Sequence, residues 1–135
     1  MLNYEIKGTG KPIVFLHGYL ENLKMWGSIQ SVLSRDYQTI LLDLPGHGKS
    51  EVVSEIHTME IMAEEVQKTL DYLGIQEAMF VGHSMGGYVI LALVELFPQL
   101  VHSFVLLNST TFPDSEEKKE GERSEERFSR NAETD

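Results

Sequence analysis

At 135 residues the chain is long enough for one domain with one core and too short for two. Its composition, 41% hydrophobic and 24% charged, is that of a globular protein, and a formal net charge of −10 argues against nucleic acid or an anionic membrane surface as the main partner. The absence of cysteine excludes disulfides and thiolate metal sites, and it suits a reducing, cytoplasmic setting. The N-terminus, Met1-Leu2-Asn3-Tyr4-Glu5, has no basic region and no long apolar run, so no signal peptide is expected. No stretch approaches the roughly 18 apolar residues that a membrane span requires.

In chain order, residues 2–6 read as a short strand that ends in a turn at Gly8-Thr9-Gly10. Ile13-Val14-Phe15-Leu16 is a continuous apolar run, as expected of a strand buried on both faces. Residues 22–34 read as an irregular turn and then a helix, and Thr39-Ile40-Leu41-Leu42 as a second buried strand. The loop Asp43-Leu44-Pro45-Gly46-His47-Gly48 follows. Met59, Ala63, Val66, Leu70 and Leu73 recur at intervals of three and four, which predicts an amphipathic helix with Thr58 as N-cap and Gly74 just past its end. Ala78–Val81 reads as a strand, Gly87–Phe97 as a helix stopped by Pro98, and Phe104–Leu107 as a last strand. From Pro113 to Asp135 the chain carries nine acidic and five basic side chains, with Phe128 as the one large apolar residue. That segment cannot bury enough surface to fold alone and reads as a solvated helix or a disordered tail. The domain expectation is therefore a core over 1–112 and a charged tail over 113–135.

Strands alternating with helices imply βαβ units and a mostly parallel sheet with ligands beyond its carboxyl edge. The loops after Leu16, Leu42 and Val81 all belong at that edge. The last holds Gly82-His83-Ser84-Met85-Gly86, a G-x-S-x-G between a strand and a helix. A strand that turns at once into a helix holds its central serine in a sharp, strained bend beside the positive helix end, a place for a nucleophile. The glycines belong there because the two backbones approach too closely for a Cβ.

Together these segments resemble the α/β-hydrolase family over about residues 2–119. His17-Gly18-Tyr19 stands where the family places its oxyanion loop. Asp43 to Ser50 looks like its D-x-P-G-x-G-x-S segment, Gly82 to Gly87 like its nucleophile elbow, and Leu106-Leu107-Asn108-Ser109 like the end of the strand before its lid. The resemblance implies that Ile13–Leu16 pairs beside Ala78–Val81 in a mostly parallel sheet flanked by helices. It implies Ser84 as nucleophile and the backbone N–H groups of Tyr19 and Met85 as oxyanion donors, with His17, Gly18, Gly82, His83, Gly86 and Gly87 supporting them. A small ester-like or related acyl substrate is expected, with no metal or organic cofactor.

The family's histidine base and acid lie further downstream than this chain reaches. His83 should point away from Ser84, His17 and His47 should brace loops, His57 lies at a helix start, and His102, placed before the last strand, belongs at the far edge of the sheet. Where some relatives place the acid, this chain has Asn108, and nearby Asp114 sits in the polar tail. The chain is therefore expected to be the N-terminal part of a hydrolase, truncated before the last strands and inactive by itself. An open edge along 104–107 would invite self-association. The alternative is a non-catalytic fragment or binding module. Gly48-Lys49-Ser50 has the ending of a phosphate-binding P-loop, but that pattern needs glycine at 43, where Asp43 would repel phosphate.

Overall fold

A computed structural model describes residues 1–53 and 57–107. The expectations for Asn108, Ser109, Asp114 and the 113–135 segment lie outside the described residues. Five strands form one sheet in the order β1-β3-β2-β4-β5. They are β1 (Tyr4–Lys7), β2 (Pro12–Leu16), β3 (Gln38–Leu42), β4 (Ala78–His83) and β5 (Val101–Leu107). β1 runs antiparallel to β3, and every other pair is parallel. The expected neighbours are neighbours: Ile13 pairs with Met79 and Leu16 with Gly82.

The continuous apolar runs follow from burial on both faces. Val14, Leu16, Ile40, Leu42 and Phe80 point into one core, against α2 (Met59–Tyr72) and α3 (Met85–Leu96). Ile13, Phe15 and Leu41 point to the other face, against Leu23 and Trp26. Those two residues belong to a 3-10 turn, Leu23–Trp26, that leads into α1 (Gly27–Leu33). On α2 the inward side chains are Met62, Ala63, Val66, Thr69 and Leu70, with Met59 and Leu73 at the margin of the core. Thr58 caps the helix by accepting from the Ile61 N–H at 3.1 Å, and Gly74 follows its end at φ +76°. Among the described residues no helix is long and apolar enough to cross a membrane.

Several boundaries depart from the expected ones, and β4 runs on to His83, two residues past Val81. β1 starts at Tyr4 rather than residue 2, because the Leu2 N–H is drawn off to Thr69 Oγ1 on α2 at 3.0 Å. α3 starts at Met85, two residues before the expected Gly87, so Met85 and Gly86 are helical too. β5 starts at Val101, so His102 lies inside the strand. There the pairing with β4 shifts register, with Ala78 opposite Val101 and Met79 opposite Ser103. His102 is the extra residue of that bulge, which hid the start of the strand from its sequence pattern. It still stands at the edge far from the Ser84 turn.

Candidate active site

β4 and α3 meet at Ser84 with no connecting loop. Ser84 has φ +53° and ψ −113°, one of two non-glycine residues with positive φ among the described residues, and it is exposed. Its backbone is held from both sides. Its N–H donates to the Leu107 carbonyl of β5 at 3.0 Å, and its carbonyl accepts from the Gly87 N–H at 2.9 Å. Conformations of this kind cost about 1–3 kcal/mol and persist only where the surroundings over-determine them.

The glycines of the motif make the corner possible. A Cβ on Gly82 would lie 2.7 Å from the backbone of Gly86 and Gly87, and one on Gly86 would strike the carbonyl of Leu16, the last residue of β2, and that of His17 just beyond it. Helix α3 therefore seats directly on the end of the neighbouring strand. This close approach brings the helix start beside the loop that leaves β2. Neither the Tyr19 nor the Met85 N–H donates to an acceptor among the described residues.

The β2 loop folds as a tight turn in which the Glu21 N–H donates to the Gly18 carbonyl at 3.1 Å. Leu20, its third residue, has φ +62°, the conformation a type II turn requires and glycine or asparagine usually supplies. The Tyr19 side chain is mostly exposed and stands edge-on to His47, with ring centroids 5.9 Å apart.

His17 is fully buried. Its Nδ1 lies 2.8 Å from the Gly18 carbonyl, and its Nε2 accepts from the Leu44 N–H at 2.9 Å, which fixes the neutral tautomer with the proton on Nδ1. It thus ties the β2 loop to the β3 loop, the bracing role expected of it. Asp43 does the same within the β3 loop. Its Oδ1 accepts from the Leu23 N–H at 2.8 Å, and its Oδ2 accepts from the Lys49 N–H at 2.9 Å and from Asn3 Nδ2 at 2.8 Å. Ser50 Oγ donates to the Asp43 carbonyl at 2.6 Å. Gly48, at φ +51°, packs on the Asp43 carboxylate with no room for a Cβ. The D-x-P-G-x-G-x-S pattern is therefore a self-bracing loop, with its aspartate consumed by structure.

Each of the five histidines has a place. His47 Nδ1 lies 3.0 Å from the Pro45 carbonyl, and His57 Nε2 accepts from the Val53 N–H at 3.2 Å. His83 Nδ1 lies 2.8 Å from Glu21 Oε1, while His102 Nδ1 lies 3.3 Å from Ser103 Oγ. Glu21, Leu20 and Asn3 are the site residues that sequence reasoning missed. The positive φ of Leu20 leaves no mark in a leucine, and Glu21 and His83 lie 62 positions apart.

The sequence model of the alpha/beta hydrolase fold matches residues 11–135. The chain belongs to the α/β-hydrolase family. Among the family's solved structures, a thermophilic esterase from Thermogutta terrifontis superposes with a TM-score of 0.77 at 33% identity, over 91% of this chain and 46% of that one. Est816, described as an N-acyl homoserine lactone degrading enzyme, superposes with a TM-score of 0.76 at 32% identity, over 81% of this chain and 42% of that one. A protein of Mycobacterium phage D29, named for non-heme haloperoxidase activity, is 39% identical over 103 residues, which are 76% of this chain and 37% of its own. The chain thus spans less than half the length of these hydrolase-fold relatives.

Two of the bracing groups make the hydrolase fold acid-sensitive. Burial holds the His17 pKa below its ordinary 6.5. For Asp43, burial raises the pKa, but hydrogen bonds from the Lys49 and Leu23 N–H groups and from Asn3 outweigh it, and the net shift is below 3.8. In both cases the unfolded chain binds a proton first as pH falls, so stability falls with it. Stability due to His17 is lost from about pH 6.5 downward, and that due to Asp43 from about 3.8 through its lower folded value. The expected result is a urea midpoint that is level above neutrality, declines below about pH 6.5 and declines again below about pH 4. A midpoint that rises on acidification from pH 7 to 5 would contradict this assignment.

Proposed function

We propose that this chain carries the nucleophile half of a serine hydrolase site acting on small ester-like or related acyl substrates. The observation that carries the reading is Ser84, exposed at positive φ on the corner between β4 and α3. In that place its Oγ attacks an acyl carbon, and the Tyr19 and Met85 N–H groups receive the charge that develops on the carbonyl oxygen. Losing one such donor typically costs roughly 3–4 kcal/mol of transition-state stabilisation. The esterase and lactone-degrading names among the relatives favour acyl chemistry. The haloperoxidase name marks how far one fold can be redirected.

A serine hydroxyl needs a base to take its proton. The contacts of the five histidines give four of them loop or carboxylate partners and put His102 at the wrong edge, so the base and its acid belong outside the described residues. This favours a second reading, in which the chain alone is a non-catalytic piece. A fluorophosphonate probe separates the two. Labelling at Ser84 is expected when the base is present; a folded sample with its base that stays unlabelled would refute the nucleophile role.

A further inference from the structure

One oxygen of Glu21 joins the two segments that carry the proposed oxyanion donors. Oε1 accepts from the Gly18 N–H at 3.1 Å and lies 2.8 Å from His83 Nδ1, which donates to it. Gly18 directly precedes Tyr19, and His83 directly precedes Ser84 and Met85. The Glu21 N–H closes the same turn onto the Gly18 carbonyl. Gly18 fits this bridge and nothing larger does: a Cβ there would strike the Glu21 carboxylate and lie 2.9 Å from His83 Nδ1. The turn also holds Leu20 at φ +62°, a conformation a leucine does not keep without restraint.

We propose that Glu21 is a positioning residue that sets the spacing between the Tyr19 and Met85 N–H groups. This rests on the oxyanion reading above for its catalytic consequence, but not for its geometry. A stabilising role alone is a poor account of the pair. The Glu21 side chain is 35% exposed, and pairs of that exposure contribute little to global stability. What the bridge does have is leverage, because it fixes a strained turn against the elbow. Misplacing a catalytic group by about 1 Å costs roughly 100-fold in rate.

The test compares Glu21→Ala with Glu21→Gln by amide NMR of the expressed protein and by p-nitrophenyl acetate hydrolysis with the base present. Glu21→Ala should move the Tyr19 and Met85 amide resonances and lower kcat about 10- to 100-fold, with KM changed less than about twofold. Glu21→Gln should recover most of the loss, since its amide oxygen still accepts from both donors. Unmoved Tyr19 and Met85 resonances in Glu21→Ala would overturn the proposal, as would a glutamine variant as impaired as alanine. If the wild type with its base present cleaves no ester, the hydrolase reading falls while the resonances still decide the role of Glu21. Should Glu21→Ala not fold, His83→Ala breaks the same bridge from the other side, and an unmoved Tyr19 resonance there is equally fatal.

Discussion

Replacing Ser84 by alanine is expected to abolish ester cleavage by the active hydrolase, with a loss of about a millionfold in kcat, while the fold is retained. Removing a nucleophile eliminates the covalent path, and what survives is the binding and oxyanion contribution alone. The side chain can be removed without structural penalty, because it makes no capping hydrogen bond to α3. Ser84→Gly sharpens the test. Glycine occupies φ +53° without strain, so the variant should be inactive yet more stable than alanine at this position, by about 1 kcal/mol once the entropy of the unfolded glycine is set against the relieved strain. Urea unfolding of the two variants measures this difference. Equal or lower stability for glycine would mean that the corner is not strained, and retained cleavage in alanine would mean that another group attacks.

Gly86→Ala is expected to destabilise the protein by about 3 kcal/mol or more, although alanine is the better helix former. The added methyl meets backbone and not a flexible side chain, since the Leu16 and His17 carbonyls lie where the Cβ would go. To accommodate it, α3 must retreat from β2, and the Met85 N–H retreats from the Tyr19 loop with it. Activity should therefore fall together with stability. Gly87→Ala is the control one residue along the same helix. Its Cβ would meet only Leu106 Cδ2, at 3.3 Å, and that side chain can yield. Helix propensity then offsets the contact, and the change should stay within about 0.5 kcal/mol of wild type. Chemical denaturation of the pair checks both, and similar losses in the two would refute the seating of α3 on β2.

Much of the architecture was legible in the residues because its signals are local. Ile13–Leu16 and Thr39–Leu42 are apolar without alternation, which only a strand covered on both faces tolerates. The stripe on α2, its Thr58 cap and its Gly74 terminator are all spaced by the helix period. The Ser84 corner was legible because serine at such a bend demands glycines at fixed offsets. What escaped has no local signature. The bulge at His102 depends on how β5 registers against β4. The positive φ of Leu20 is imposed on a residue that does not favour it. The bridge through Glu21 joins groups that only the pairing of β2 with β4 brings together.

The sequence by itself determined the class of fold, the pairing of the central strands through the family it resembles, and the serine at the strand-to-helix corner. The fold class and the serine corner rest on periodicity and on glycine spacing, which act over a few residues, and the pairing is what the resemblance implies. Only the tertiary structure decided which polar side chains are structural and which are left to act. The bracing role expected of His17 takes its partner, the Leu44 N–H, from the fold, and Asp43 is committed in the same way to the Leu23 and Lys49 N–H groups. Glu21 looks like one more surface charge, yet it reaches across to the elbow. The physical reason is that a polar group's role is set by its partners and its access to water, and both are properties of the assembled sheet edge.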